Sequence, residues 1–137
     1  MIGIVIVAHG GLAREFLATV EHVVGKQDHV ATVAIQPEDS RPAKQREICE
    51  AADSVDQGGG VVVVTDMFGG SPSNLSLVAC GRANRRILYG ANLPMLIKLF
   101  KARRKTVAEA VPLALEAGRK YIDAQIVGDD AIRGWGT

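Results

Sequence analysis

Several shortages in this chain exclude whole classes of function. Its two cysteines, Cys49 and Cys80, stand singly, with no Cys-x-x-Cys and no histidine at ligand spacing. Neither a redox pair nor a zinc site is therefore expected, and both read as small helix residues, free thiols in a reducing compartment. Charge of one sign is also lacking: 16 Lys+Arg stand against 15 Asp+Glu, a net charge of +1. Such a balance gives no long-range field toward nucleic acid or an anionic membrane. The longest apolar runs, Ile4 to Ala8 and Val61 to Val64, are far too short to cross a bilayer. With no basic leader before Met1-Ile2-Gly3-Ile4, the expectation is a cytoplasmic protein with no direct membrane insertion. No Gly-x-x-x-x-Gly-Lys-Ser/Thr loop, Gly-x-Gly-x-x-Gly turn or Gly-x-Ser-x-Gly elbow occurs. Nucleoside triphosphates, dinucleotides and esterase chemistry are disfavoured accordingly.

What is present describes one domain over residues 1–137, with 47% hydrophobic residues and enough length for a core without disulfides or a structural metal. Ile4 to Ala8 and Val61 to Thr65 are β-branched runs without polar alternation. That is the pattern of strands covered on both faces, and so of a parallel sheet. Val30 to Ile35 and Ile87 to Tyr89 read as two more strands. Helical spacing runs from Leu12 to Val23, ended by Gly25, and from Ala43 to Val55, ended by Gly58-Gly59-Gly60. A helix is expected from Ser71 and Pro72, and another from Asn92-Leu93-Pro94 to about Ala102. Thr106 with Glu109 offers a capping box for a last one, in which Pro112 removes an interior hydrogen bond and threatens a kink or a delayed start. Ile122 to Val127 is the candidate for a short final strand.

Strands and helices alternating in this way predict an α/β three-layer sandwich with a mainly parallel four-stranded sheet, order 2-1-3-4. Ligands in such sheets bind beyond the carboxyl ends of the strands, where the strand order reverses. The residues at that point are His9 and Asp66. A carboxylate that accepts the hydrogen of an imidazole Nδ1 fixes the tautomer and leaves Nε2 with a free lone pair, a nucleophile. Gly69-Gly70, leading into Ser71 and a helix start, suits an anion. A nucleophilic imidazole beside an anion-binding loop points to phosphoryl chemistry on a histidine, with no lysine or arginine in the motif for a magnesium-dependent kinase site of the usual kind.

The opening strand ending in Ala8-His9-Gly10, the segment Asp66-Met67-Phe68-Gly69-Gly70-Ser71-Pro72-Ser73-Asn74, and Gly90-Ala91-Asn92-Leu93-Pro94-Met95-Leu96 together resemble the EIIA component of the mannose-type sugar phosphotransferase system. The resemblance covers the full length. The phosphotransfer subunit of the dihydroxyacetone kinase system shares the opening histidine strand but generally lacks Gly-Gly-Ser-Pro. The resemblance implies a phosphotransferase with a phosphohistidine intermediate: His9 accepts a phosphoryl group from the carrier protein HPr and passes it to a separate EIIB protein. Without an EIIB, the phosphorylation state of His9 would be a regulatory signal. Asp66 would orient His9, while Ser71 and the amides around Gly69 and Gly70 would stabilise the phosphoryl oxygens. No metal or organic cofactor is implied. Family members usually dimerise through a C-terminal strand exchanged or packed between subunits, a part Ile122 to Val127 could take in a homodimer.

Each of these residues also has a plainer reading. A histidine after a strand is often only a hydrogen-bonded structural residue, Asp66 a turn residue, and Gly69-Gly70-Ser71-Pro72 a tight turn with a good cap. Phe68 is either tucked into the core or a docking contact for HPr. His22 and His29 read as solvated side chains away from His9. The clusters Arg82, Arg85, Arg86 and Lys101, Arg103, Arg104, Lys105 read as a solvated face near helix C-termini, without the interleaved aromatics of a nucleic-acid site. The rival from another class is a non-catalytic sensory module that binds an anion or a partner in the same crevice.

Overall fold

The structure is a computed structural model, and it describes residues 1–67 and 81–128. Its sheet is β1 (Gly3–His9), β2 (Val30–Ile35), β3 (Val61–Thr65) and β4 (Arg85–Leu88), in the order β2-β1-β3-β4. All three pairings are parallel, in the register Ile4 to Val30, Ile4 to Val62 and Val61 to Arg85. The expected strand order is thus the observed one. Around the sheet lie α1 (Leu12–Val24), α2 (Arg41–Val55), α3 (Leu93–Lys101) and α4 (Val107–Lys120).

The β-branched runs explain the layers. Successive side chains of a strand point to opposite faces, so Ile4, Ile6 and Ala8 of β1 join Val62 and Val64 of β3 beneath α1, α3 and α4. Val5, Val7, Val61 and Val63 face the other way, onto Ile48, Ala52 and Val55 of α2. Burying each of the valine and isoleucine side chains contributes about 1.5–3 kcal/mol. Gly3 has no side chain for a packing reason: a Cβ there would collide with the backbone carbonyl of Val55 at the end of α2.

Helix starts and stops follow local chemistry. Gly25 closes α1 at φ 87°. α2 begins two residues before the expected Ala43, because Ser40 accepts from the Ala43 amide and Pro42 suits the first turn. Asn92 caps α3 through the Met95 amide at 3.0 Å, and its Nδ2 donates to Gly118 O of α4 at 2.8 Å. The Thr106–Glu109 capping box is formed in both directions.

Four expectations need correction or delimiting. α4 starts on its cap and continues through Pro112, because Ala110, Val111 and Ala114 are packed in the core and hold the turn that the missing amide weakens. Ile122 to Val127 is not a strand: no neighbour pairs with it among the described residues, and Ile122, Ile126 and Val127 are 74%, 89% and 95% exposed. Arg85 and Arg103 are not part of a solvated face. The Arg85 side chain is buried against Asp53 (2.8 Å) and Asp56 (3.2 Å), and Arg103 is 3% exposed, donating to Ile2 O, His29 O and Gln27 Oε1 at 2.9–3.1 Å. The helix expected from Ser71 lies outside the described residues, as does Cys80.

Candidate active site

β1 delivers His9 as its last residue, and β3 ends one residue before Asp66. Because β1 and β3 are neighbours in parallel register, with Val7 level with Thr65, the two residues leave the sheet side by side. One oxygen of Asp66, Oδ2, accepts twice from His9: from the backbone N–H at 3.0 Å and from ring Nδ1 at 3.0 Å. A carboxylate has only acceptor capacity, so Nδ1 carries the hydrogen and Nε2 keeps its lone pair. The double contact fixes where the ring starts and which way its edge faces. The His9 side chain is 48% exposed while that of Asp66 is 10% exposed, so the carboxylate is shielded and the imidazole is open to solvent. Asp66 Oδ1 is buried with no hydrogen-bond partner among the described residues.

Gly10 follows at φ 58°, a left-handed conformation that L side chains rarely adopt, and its amide donates to Ile35 O at 2.9 Å. That bond ties the turn after His9 to the end of β2. On the other side, the Ala91 amide donates to Thr65 O at 2.9 Å, so the Gly90-Ala91-Asn92 stretch closes on the end of β3 beside Asp66. Among the described residues, no cluster of three or more His, Cys, Asp or Glu side chains is arranged to hold a metal ion.

The structure therefore brings together His9 and Asp66. The remaining expected site residues, Phe68, Gly69, Gly70 and Ser71, lie outside the described residues. His22 falls on α1, and His29 lies at the opposite end of β2 from His9, its carbonyl taken up by Ile4 and Arg103.

The model of the family described as EIIA-man, PTS system fructose IIA component, matches residues 3–115, which contain both β1 with His9 and the Asp66 segment. The chain belongs to this family. It is an EIIA of the mannose type, a component of the sugar phosphotransferase system. The mannose-specific EIIAB component of Escherichia coli K12 is 31% identical over 126 residues, covering 90% of this chain but 39% of that protein. This EIIA-type chain thus spans well under half the length of the curated relatives it matches. Phosphotransferase system component EIIA from Streptococcus agalactiae superposes with TM-score 0.76 at 26% identity, covering 90% of this chain and 97% of the other. The mannose/sorbose-specific IIA subunit from Enterococcus faecalis gives 0.81 at 23% identity over 93% and 97% of the two chains, a likeness of fold. No helix among the described residues is long and apolar enough to cross a membrane.

Sequence reasoning missed one wall of the candidate site. A cleft on the β2 side of His9 is lined by Ile35, Gln36, Asp39, Arg41 and Lys44 as well as His9. The signal was present in Ser40 and Pro42, a cap and a first-turn proline that start α2 at Arg41, directly after β2 and at the same end of the sheet as His9.

Proposed function

We propose that this protein is a phosphocarrier in which His9 accepts a phosphoryl group from phospho-HPr and passes it to a separate EIIB protein. The observation that carries this reading is the double hydrogen bond from His9 to one Asp66 oxygen. In the forward step the Nε2 lone pair forms the bond to phosphorus as the donor's phosphorus–nitrogen bond breaks. The bonding pair leaves with the donor imidazole. The His9 ring gains positive charge when its lone pair is used, and Asp66 faces that charge through Nδ1–H, lowering the barrier where charge develops. Transfer onward to EIIB returns the lone pair to Nε2 and restores the neutral ring. Gly69, Gly70 and Ser71 would hold the phosphoryl oxygens and Phe68 would contact HPr, as the family motif suggests.

The same reading makes the protein a homodimer. Sheet edges at β2 and β4 that no further strand pairs among the described residues, and three exposed β-branched residues in Ile122–Val127, support a strand shared between copies. Sedimentation of the protein and of Ile126→Asp tests it: a dimer that the substitution dissociates is expected, and a monomeric wild type would reject the pairing.

The function itself is tested by incubation with phosphoenolpyruvate, enzyme I and HPr, followed by intact-mass and acid-lability analysis of wild type and His9→Ala. One acid-labile phosphoryl group, absent from His9→Ala, is expected. No modification while HPr itself is phosphorylated would reject the carrier and favour the anion- or partner-binding module.

A further inference from the structure

The cleft beside His9 holds two cations whose situations differ. Lys44 is 8% exposed, and its ammonium donates to Ala34 O (2.9 Å) and Glu47 Oε2 (2.7 Å), with Asp39 Oδ2 at 3.3 Å. Burial alone would push this lysine down, and the two carboxylates hold it above the ordinary lysine value instead. Its charge is fully engaged in fixing the β2–α2 connection. Arg41 is exposed and makes no ion pair among the described residues. It also stands where stability gives no reason for it. It opens the first turn of α2, which contains no acidic side chain, although the helix dipole disfavours cations at that end. A side chain that breaks a local preference without a compensating contact is the kind found at functional positions.

The orientation of His9 gives Arg41 a target. Nδ1 is held on Asp66, which follows β3, while β2 and its cleft lie on the other side of β1. The two nitrogens sit on different edges of the imidazole, so Nε2 is turned away from β3. We infer that Arg41 is a phosphoryl-binding residue, its guanidinium holding oxygens of the phosphoryl group on His9 Nε2 from the β2–α2 wall. The planar fork of a guanidinium matches such oxygens in a bidentate manner that lysine cannot reproduce. The inference rests on His9 being the phosphorylated residue.

The test is the equilibrium constant for phosphoryl exchange between phospho-HPr and the full-length protein, measured for wild type, Arg41→Gln, Arg41→Lys and Arg86→Gln. Arg86 is an exposed cation on β4, and its replacement removes the same charge away from the cleft. Contacts between the docked proteins alter rates but cannot alter an equilibrium between free species, whereas a contact to the bound phosphoryl group must. Arg41→Gln is expected to shift the equilibrium toward phospho-HPr about tenfold, the size of one charge-assisted hydrogen bond. Arg41→Lys should fall between, and Arg86→Gln should match wild type. An unchanged equilibrium with slower transfer would overturn the inference and place Arg41 in docking instead. Equal shifts in Arg41→Gln and Arg86→Gln would overturn it in favour of net charge. A wild type that takes no phosphoryl group would reject the phosphocarrier reading and this inference with it.

Discussion

The two ends of the sheet use arginine in opposite ways. At the amino ends of the strands, Arg103 reaches the carbonyls of Ile2 and His29 and the side chain of Gln27, joining the start of β1, the loop before β2 and the α3–α4 turn. Arg85 is likewise enclosed by Asp53 of α2 and Asp56, the residue that follows this helix. At the carboxyl ends, Arg41 is exposed and without an ion pair among the described residues, and the His9 ring is open to solvent. At the first end both guanidinium groups are enclosed and held by internal partners, although Nε and Nη1 of Arg85 have none among the described residues. The second leaves Arg41 and the His9 ring open to solvent, while Asp66, Asp39 and Lys44 are engaged in holding its walls. Stability and reactivity are thus separated along the strand axis, which allows substitutions to break one without the other.

The largest effect should come from the amino end. Arg103→Met leaves buried carbonyl acceptors unpaired and should lower unfolding free energy by about 3 kcal/mol, read from urea denaturation. A loss below about 1 kcal/mol would mean that water replaces the guanidinium and that this end is not sealed. At the open end, Asp66→Ala should slow phosphoryl acceptance roughly 10- to 100-fold, since the tautomer and direction of the ring are no longer fixed. Its urea midpoint should move far less than that of Arg103→Met, because the His9 side chain that loses its acceptor is 48% exposed and water can take the freed donor. Unchanged transfer kinetics would remove Asp66 from the mechanism.

A smaller change separates the ends again. Thr106→Ala deletes the cap of α4 at the amino end and should cost about 1 kcal/mol, with phosphoryl transfer unaffected. The smallest effect concerns pH. The amide of Gly58 and then the Arg85 guanidinium hold the Asp56 carboxyl below its ordinary value of 3.8. A lowered folded-state value gives stability that is present above 3.8 and lost as pH falls further, through the depressed folded value. Asp56→Asn should therefore flatten the acid limb of the unfolding midpoint below pH 3.8 relative to wild type. An identical acid limb would show that other carboxylates govern acid unfolding.

Much of this architecture is legible in the chain because its signals are local. Unbroken β-branched runs mark strands buried on both faces, and Asn92 and Thr106 announce helix starts through bonds spanning three residues. The pairing of His9 with Asp66 was also accessible, since strand order places both at the switch point. Arg103 misled for the opposite reason. A basic residue in a basic cluster reads as solvated, yet its acceptor on Ile2 is 101 residues away. Ile122 to Val127 has strand composition, but composition supplies no neighbour to pair with.

The sequence by itself determined the periodicities, most of the caps, the strand order and the pairing of His9 with Asp66 at the switch point. These follow from hydrophobic spacing and from hydrogen bonds between near neighbours. Only the tertiary structure decided which charges are buried as clamps and which remain free. It placed the first turn of α2 beside His9, and it bound both His9 donors to one Asp66 oxygen. The cost of burying a charge depends on partners brought from distant parts of the chain, and only the folded arrangement supplies them.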